Sequence, residues 1–587
     1  MKIVCLVKQI PRADEIEFDQ ETRSLKREGV PLILNPFDAL AVTEAVRLRR
    51  PDDEVIAMAM GPPQAEEALR ECLGLGADRC IHLSDRAFAL ADTIGTSRTL
   101  ALALEKEGCD LVLCGRKTLD AETRQVPPEV AAFLGRPHAT GSVGLELQGQ
   151  RLHVRRETDE GEQTIELPLP AVVSVARAQR EPAPTPREGR IDVWAATDLV
   201  DDLREDDKRF GQTGSPTRVL AVHDVTPERL GERVGSVEEA AARIRALAGE
   251  RPAGATAWDK PPHLAKEPGR FYDCWTLVEL VEGRPSRASL ELLAKGRELS
   301  GKLGGANVAL VLGHDVDAAV EAVSRHGAEV VHVAEDAALR DYVPEPWVAA
   351  VRSIVERERP HVLLIPATLR GRDLGPRVAG ELQFGMTADC VDLGIDRGGR
   401  LVQHKPAYGG NIVSVIMGST TPQLATVRPR MFEPLEPRAG DAEVRRIELP
   451  SLPQGPTRLL EERKSDPPPW RLDEAEIVAG LGPSVDLSAL EEAAARADAA
   501  IGGDRKACAA GIVLWTAEIG IKGRAVAPRI YVAVEADPGF EHLTGAVKAG
   551  VIAAIAADER SPLLDAADVG LAGDWRELAP ALLEALA

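Results

Sequence analysis

Close to the C-terminal end of the chain, residues Gly502 to Gly545 read GGDRKACAAGIVLWTAEIGIKGRAVAPRIYVAVEADPGFEHLTG. A small-residue turn carries Arg505, and a second turn holds Gly520 and Gly523. The loop after the apolar run Ile530 to Val534 delivers His542. Glycine turns let a backbone come close to a ligand because no Cβ stands in the way. A cation and an imidazole at such turns suit a ring that must hold extra negative charge, and a flavin is such a ring. No acid/base pair or nucleophile constellation appears elsewhere. Lone histidines such as His223, His263 and His361 read as surface or core residues. The eight cysteines form no CxxC pair and read as reduced core thiols of a cytoplasmic protein.

The elements that must position this stretch are spread over 587 residues, enough for three or four domains. Aromatics make up only 3%, so the cores are built from Ala, Val, Leu and Ile. A formal net charge of -22 argues against nucleic acid and anionic membrane surfaces. No apolar run reaches the roughly 18 residues of a bilayer span. The opening MKIVCLVKQI reads as a buried strand, not a signal peptide.

Strands and helices alternate from Lys2 to Leu134, which implies a doubly wound parallel sheet; hairpin strands follow, to Val175. The same order returns from Cys274 to Leu382, again with antiparallel strands to Arg428. DLVLCGRKTLDAETRQVPPEVAAFLG from Asp110 and HVLLIPATLRGRDLGPRVAGEL from His361 share strand, small-residue turn, acidic residue and proline-containing helix. The expected architecture is therefore α/β: two duplicated doubly wound domains (1–250 and 271–445), packed as a pseudo-dimer. A third, Rossmann-like domain covers 472–587. Pro-rich linkers are expected at 251–270 and 446–471, the second acting as a semi-rigid hinge arm. Helices are read at Val237 to Leu247, closing the first domain, and at Leu487 to Ile501 and Gly545 to Ala549 in the third.

These motifs resemble the electron transfer flavoproteins, with the β and α subunits fused and β first. VKQIP, NPFDALAVTEAVRL, GADR and LDAETRQV carry the likeness in the first half. SLELLAKGRELSGKLG, RGRDLGPRVAGEL, GMTADC, KPAYGGN and QLATVRP carry it in the second. The resemblance implies duplicated adenine-nucleotide-α-hydrolase-like domains forming a platform, and a DHS-like C-terminal domain that binds FAD and swivels over it. It implies electrons arriving from flavin dehydrogenases, of the acyl-CoA dehydrogenase type in fatty acid β-oxidation. They leave to a quinone reductase or other acceptor, with membrane association at most peripheral.

The family's flavin motifs carry over in part. Its Ser-Arg pair at the isoalloxazine corresponds to Asp504-Arg505, where the carboxylate is expected to offset the guanidinium's field. Its QVGQTG turn is Glu518 to Gly523, keeping Gly520 and Gly523 and placing Lys522 for the pyrophosphate. Its GISGAIQH loop is Glu535 to His542, with Asp537, Gly539 and His542 at the flavin or its phosphates. Its INKDP motif retains Asp558, and Asp568 completes the expected FAD set.

In the first half, the resemblance implies AMP, or in bifurcating relatives a second FAD. The residues are Lys8, Asn35, Asp38, Met60, Asp120, Arg124, Gln125 and Val126. Asn35-Pro36 reads equally as a helix cap. Gln125-Val126-Pro127-Pro128 loses a backbone donor relative to the family's glycine, which Arg124 and Arg116 could replace with charge. The family's partner-catching loop corresponds to the Pro-rich stretch Arg180 to Arg190. Two alternatives stand beside the carrier reading: a flavin-deficient scaffold, and an electron-bifurcating flavoprotein.

Overall fold

The computed structural model describes residues 1–587 except 13–16, 20–23, 27–29, 205, 225–228, 250–257, 264–271, 411 and 469. The proposed linker 251–270 falls mostly outside the described residues.

Both platform domains are built on the same strand order. In the first, the parallel strands run Arg190–Trp194, Arg79–Leu83, Glu54–Met60, Lys2–Val7, Leu111–Gly115, Ala171–Val175. In the second they run Glu443–Arg446, Val330–Glu335, Asn307–Gly313, Cys274–Val278, Val362–Pro366, Gln423–Val427. The central strands are buried on both faces, which is why their sequences are continuous apolar runs rather than alternating ones. In each domain the order reverses between the first and fourth strands, and ligand crevices lie outside the carboxyl ends of strands at such a point. Here those ends are Lys8 and Arg116 in one domain, Glu279 and Ala367 in the other.

The two domains meet helix to helix. Val126–Phe133 packs on Leu369–Leu382, and a Cβ at Gly380 would come within 2.7 Å of the Ala132 Cβ. Beside this contact the buried Asp373 carboxylate accepts from Tyr342 (2.7 Å), Thr140 (2.5 Å) and His138 (3.1 Å). The neighbouring His138 and Arg156 hold it well below the usual carboxylate range, although burial pushes the other way.

Strand exchange ties the halves together. Thr217–Asp224, from the first half, pairs antiparallel with Ile412–Gly418 of the second half's hairpin sheet. Arg458–Lys464, from the second half, pairs antiparallel with Gly161–Pro168 of the first half's hairpin. The stretch 446–471 is therefore not a free linker: seven of its residues form an edge strand. Its side chains are almost all exposed, so backbone pairing rather than apolar burial holds it.

The third domain has a six-stranded parallel sheet in the order Glu232–Val234, Val569–Ala572, Val551–Ala556, Ile530–Val534, Ile477–Leu481, Ala500–Gly503. Its first strand comes from the first half of the chain. The helix Val237–Gly249 follows it and buries Ala240, Ala241, Ile244 and Ala248 in the third domain's core beside Leu582 and Leu583. Residues 232–249 thus belong structurally to the third domain, not to the first. The expected helix Leu487 to Ile501 breaks into short turns (Leu487–Ala489, Glu491–Arg496) and the edge strand Ala500–Gly503. Residues 545–548 form a turn rather than the expected helix to Ala549.

Candidate functional site

Where the three domains meet, they enclose a cavity of about 1030 Å³. Arg505, Trp515, Glu518, Lys522 and Arg524 reach it from the third domain. Arg116, Arg124 and Arg177 reach it from the first, and Arg372 and Arg428 from the second. Twelve Lys and Arg side chains line it against nine Asp and Glu, a cationic chamber inside a strongly acidic chain.

The third domain is seated over it by the 518–524 turn. Ile521, 3% exposed, inserts into an apolar socket made by Ile10, Phe37 and Leu119 of the first domain. The Arg116 guanidinium donates to the Gly523 carbonyl (3.3 Å) and lies over the Phe37 ring. Both glycines of the turn serve its own packing. A Cβ at Gly520 would come within 2.5 Å of the Glu541 carbonyl, and one at Gly523 would overlap that of Glu518. The expectation that they make room for a ligand gives way to close backbone contacts within the domain.

Arg505 faces the chamber. It pairs with Glu181 of the 180–190 loop (3.1 Å), approaches Glu518 (3.7 Å), and lies over the Trp515 ring. Arg177 of the first domain lies over the same ring, so the indole touches guanidinium groups from two domains. Trp515 and Arg177 were missed by reading motifs. An aromatic between Arg505 and Gly520, in a chain so poor in aromatics, was the signal available. Burial pushes the Glu518 carboxyl upward, and Arg116 and Arg505 oppose that shift.

His542 does not face the cavity. It is 2% exposed, with Nδ1–H donating to the Ile519 carbonyl (3.0 Å) and Nε2 accepting from the Tyr531 hydroxyl (2.9 Å). Burial lowers its pKa, consistent with a neutral ring of that tautomer. The expected donation to a flavin is replaced here by two internal bonds. Asp504, 1% exposed, likewise turns inward. It caps the helix Arg505–Ala509 through Ala507 N–H (2.7 Å) and also accepts from Asp537 N–H (2.9 Å).

The other acidic positions of this edge follow the same pattern. Asp537 accepts from Gly539 N–H (2.8 Å) and pairs with Lys506 (2.6 Å); Glu535 accepts from Ala557 N–H (2.7 Å); Asp558 accepts from Arg560 N–H (2.9 Å). Lys522 pairs with Glu541 (2.8 Å). Asp568 sits at the opposite edge of the sheet, at the amino end of its strand. There it accepts from Ile552 N–H and from Arg229, both at 2.8 Å. Its place in the FAD set is corrected to a structural one, because ligands of parallel sheets bind at carboxyl ends.

In the first domain, Arg124 lines the cavity while the other expected nucleotide residues lie outside its wall. Lys8 pairs with Asp120 (2.5 Å). Asn35 donates to the Lys117 carbonyl (2.9 Å) and makes no side-chain cap. Asp38 accepts from Lys8 N–H (2.9 Å) and Gly115 N–H (3.1 Å), and burial pushes it up to about 7. Gln125 donates to Glu129 and to the Met386 carbonyl, both at 3.1 Å. Val126 opens the helix Val126–Phe133, and Met60 ends its strand. Yet among the described residues, four of the twelve buried polar side-chain atoms without a partner cluster at this edge: Asn35 Oδ1, Arg116 Nε, Asp120 Oδ1 and Arg124 Nε. Buried polar groups are ordinarily satisfied, so orphans gathered at one sheet edge point to a polar ligand. The cavity's size, its excess of cations and the two orphaned guanidinium nitrogens in its wall, Arg116 Nε and Arg124 Nε, fit an anionic dinucleotide such as FAD.

Residues 22–199 and 274–452 match the family description "Electron transfer flavoprotein domain", and residues 471–547 match "Electron transfer flavoprotein FAD-binding domain". The electron transfer flavoprotein subunit beta of Thermoanaerobacterium thermosaccharolyticum is 39% identical over 246 residues, 41% of this chain and 95% of that protein. The subunit alpha of the same organism is 30% identical over 327 residues, 54% of this chain and 97% of that protein. The caffeyl-CoA reductase-Etf complex subunit CarD of Acetobacterium woodii is 38% identical over 226 residues, 38% of this chain and 86% of that protein. No helix among the described residues is long and apolar enough to cross a membrane. The duplicated platform, the third domain and these matches make the chain a member of the electron transfer flavoprotein family, β-like half first and α-like half second, with FAD as its cofactor.

Proposed function

We propose that this chain is a self-contained electron carrier, its flavin lodged in the three-domain cavity. It takes electrons from flavin dehydrogenases and passes them to a quinone reductase or another acceptor. One observation carries the reading: Arg505, Trp515 and Lys522 of the FAD-binding domain face Arg116 and Arg177 of the platform across one cationic chamber. FAD, when bound, supplies a ring that takes up two electrons and releases them singly. Arg505 and Lys522 give that ring a positive field for its reduced, anionic form. Glu518 moderates the field. The platform walls keep bulk water from the ring, which strengthens each of these interactions. The association of CarD with a CoA-ester reductase complex, given in its name, supports a donor or acceptor of the acyl-CoA dehydrogenase type.

The absorption spectrum of the purified protein, before and after reconstitution with FAD, tests the reading. The expected result is one flavin per chain, reducible by a flavin dehydrogenase and its substrate. Absence of flavin bands after reconstitution overturns the carrier reading, and two flavins per chain favour the bifurcating arrangement.

A further inference from the structure

Where the QVGQTG turn opens on an amide side chain, this chain has a carboxyl group, Glu518. Its backbone is fixed: the Glu518 N–H donates to the Trp515 carbonyl (3.2 Å), and its carbonyl accepts from Arg524 N–H (2.7 Å). Gly523 leaves room for the side chain, since a Cβ there would come within 2.8 Å of the Glu518 Cγ. That side chain is 7% exposed and belongs to the cavity wall. Among the described residues, none donates a hydrogen bond to its carboxyl oxygens. The closest cation, Arg505, stands at 3.7 Å, beyond hydrogen-bond reach. Neighbouring carboxylates of the wall are committed: Asp389 accepts from Arg428 (2.6 Å), Glu122 accepts from Lys117 (2.7 Å), and Glu157 pairs with Arg177 (3.1 Å). Around Glu518 stand Arg116 and Glu157 of the first domain and Arg505, Lys522 and Cys508 of the third. Burial favours its neutral form, and the two guanidinium groups favour the ionised one.

We infer that Glu518 is a proton-holding residue of the redox cycle, taking a proton from solvent when the flavin is reduced and returning it on reoxidation. This role rests on the carrier reading above. Two-electron reduction brings one proton onto the flavin and leaves its ring with a negative charge. A negative charge entering a water-poor chamber favours the neutral form of a carboxyl group that shares the chamber. The balance is two electrons from the donor and two protons from water, one on the flavin and one forming the Glu518 O–H bond. The net charge of the chamber is then the same before and after reduction. While the flavin is oxidised, the carboxylate offsets the Arg505 guanidinium; once Glu518 is neutral, that guanidinium's field is left to the reduced ring. A glutamine at this position can hold no such proton.

The test is the pH dependence of the flavin midpoint potential in the full chain, measured at an electrode so that no chemical reductant carries protons. Over about pH 6 to 8, the parent should take up more than one proton per two electrons, and Glu518→Gln one. With two protons, each pH unit moves the reduction equilibrium about a hundredfold, or about 60 mV; with one, about tenfold, or about 30 mV. Glu518→Asp, which keeps a carboxyl group, should keep the steeper slope. Glu181→Gln removes the exposed carboxylate paired with Arg505, and should shift the potential without changing its slope. Thermal unfolding and flavin absorption confirm the fold and occupancy of each variant. Parallel slopes for the parent and Glu518→Gln overturn the inference. So does a one-proton slope in Glu518→Asp, or an equal flattening in Glu181→Gln. A parent protein that holds no flavin after reconstitution refutes the carrier reading itself, and this role with it.

Discussion

The two platform domains share a strand order but differ at the point where that order reverses. In the first, the strand Leu111–Gly115 runs into residues 116–125 before the helix Val126–Phe133 begins. That loop brings Arg116, Lys117, Asp120 and Arg124 to the switch point, facing Lys8. In the second, Val362–Pro366 is separated from the helix Leu369–Leu382 by Ala367 and Thr368 alone. Thr368 accepts from Gly371 N–H (3.0 Å) and donates to Glu279 (2.7 Å), the residue that follows the first strand as Lys8 does in the other half. One crevice is long-looped, with Lys8 after its first strand; its twin is short-looped, with the acid Glu279 there, and its turn residues Ala367, Thr368 and Leu369 line the shared cavity. A duplicated scaffold is thus differentiated by loop length and by the sign of one charge, while both halves give walls to one chamber.

Gly371 offers the largest test of this contrast. A Cβ there would overlap the Pro366 carbonyl oxygen. Gly371→Ala is expected to cost about 3 kcal/mol of stability by overpacking a backbone contact, read as a lowered urea midpoint. A midpoint within error of the parent would show that this turn has slack.

Next in size is Ile521→Asp. Removing an isoleucine from its socket forfeits about 2 kcal/mol of apolar burial, and the carboxylate adds a desolvation cost. The third domain should leave the first, raising the radius of gyration in solution scattering, while the platform unfolds as before. An unchanged radius would mean that the strand exchanges alone hold the domain in place.

The acid of the second crevice gives a pH signature. Burial pushes Glu279 up to about 8, above its ordinary value of 4.5. A carboxyl raised in the folded state contributes stability that is present below the unfolded pKa and is lost as pH climbs toward the folded one. Parent stability should therefore decline between about pH 4.5 and 8 by more than that of Glu279→Gln, in urea titrations across that window. Parallel curves would refute the assignment. The smallest effect is expected at the first crevice. Lys8→Met breaks a half-exposed pair with Asp120 and should lower stability by about 0.5 kcal/mol, a difference that added salt should shrink.

Much of this was readable in advance. Strands buried on both faces announce themselves as apolar runs, so both platform sheets and their duplication were visible in the residues. The helix Val237–Gly249 was visible too, but amphipathic periodicity says that one face is buried without saying against what. It therefore went to the wrong domain. Arg458–Lys464, reading RLLEERK, carries no period at all, because its place depends on a ladder with Gly161–Pro168. At the site, motif position identified Arg505 and His542 alike, yet only Arg505 faces the cavity. The direction of His542 is decided by the Tyr531 hydroxyl and the Ile519 carbonyl, neither of which the motif mentions. Arg124 is attached to a nucleotide by position; that its Nε is buried without a hydrogen-bond partner among the described residues is visible only once the fold surrounds it.

The reciprocal strand exchange has a mechanical meaning. The backbone crosses between the platform and the third domain three times: between Asp224 and Glu232, between Gly249 and Trp258, and between Lys464 and Trp470. At roughly 3.4 Å per extended residue, each crossing allows only a short excursion from an anchor in the platform. A body leashed at three points keeps little freedom to translate or to turn. Release of the Ile521 knob would then open the cavity by a limited displacement, rather than set the flavin domain adrift.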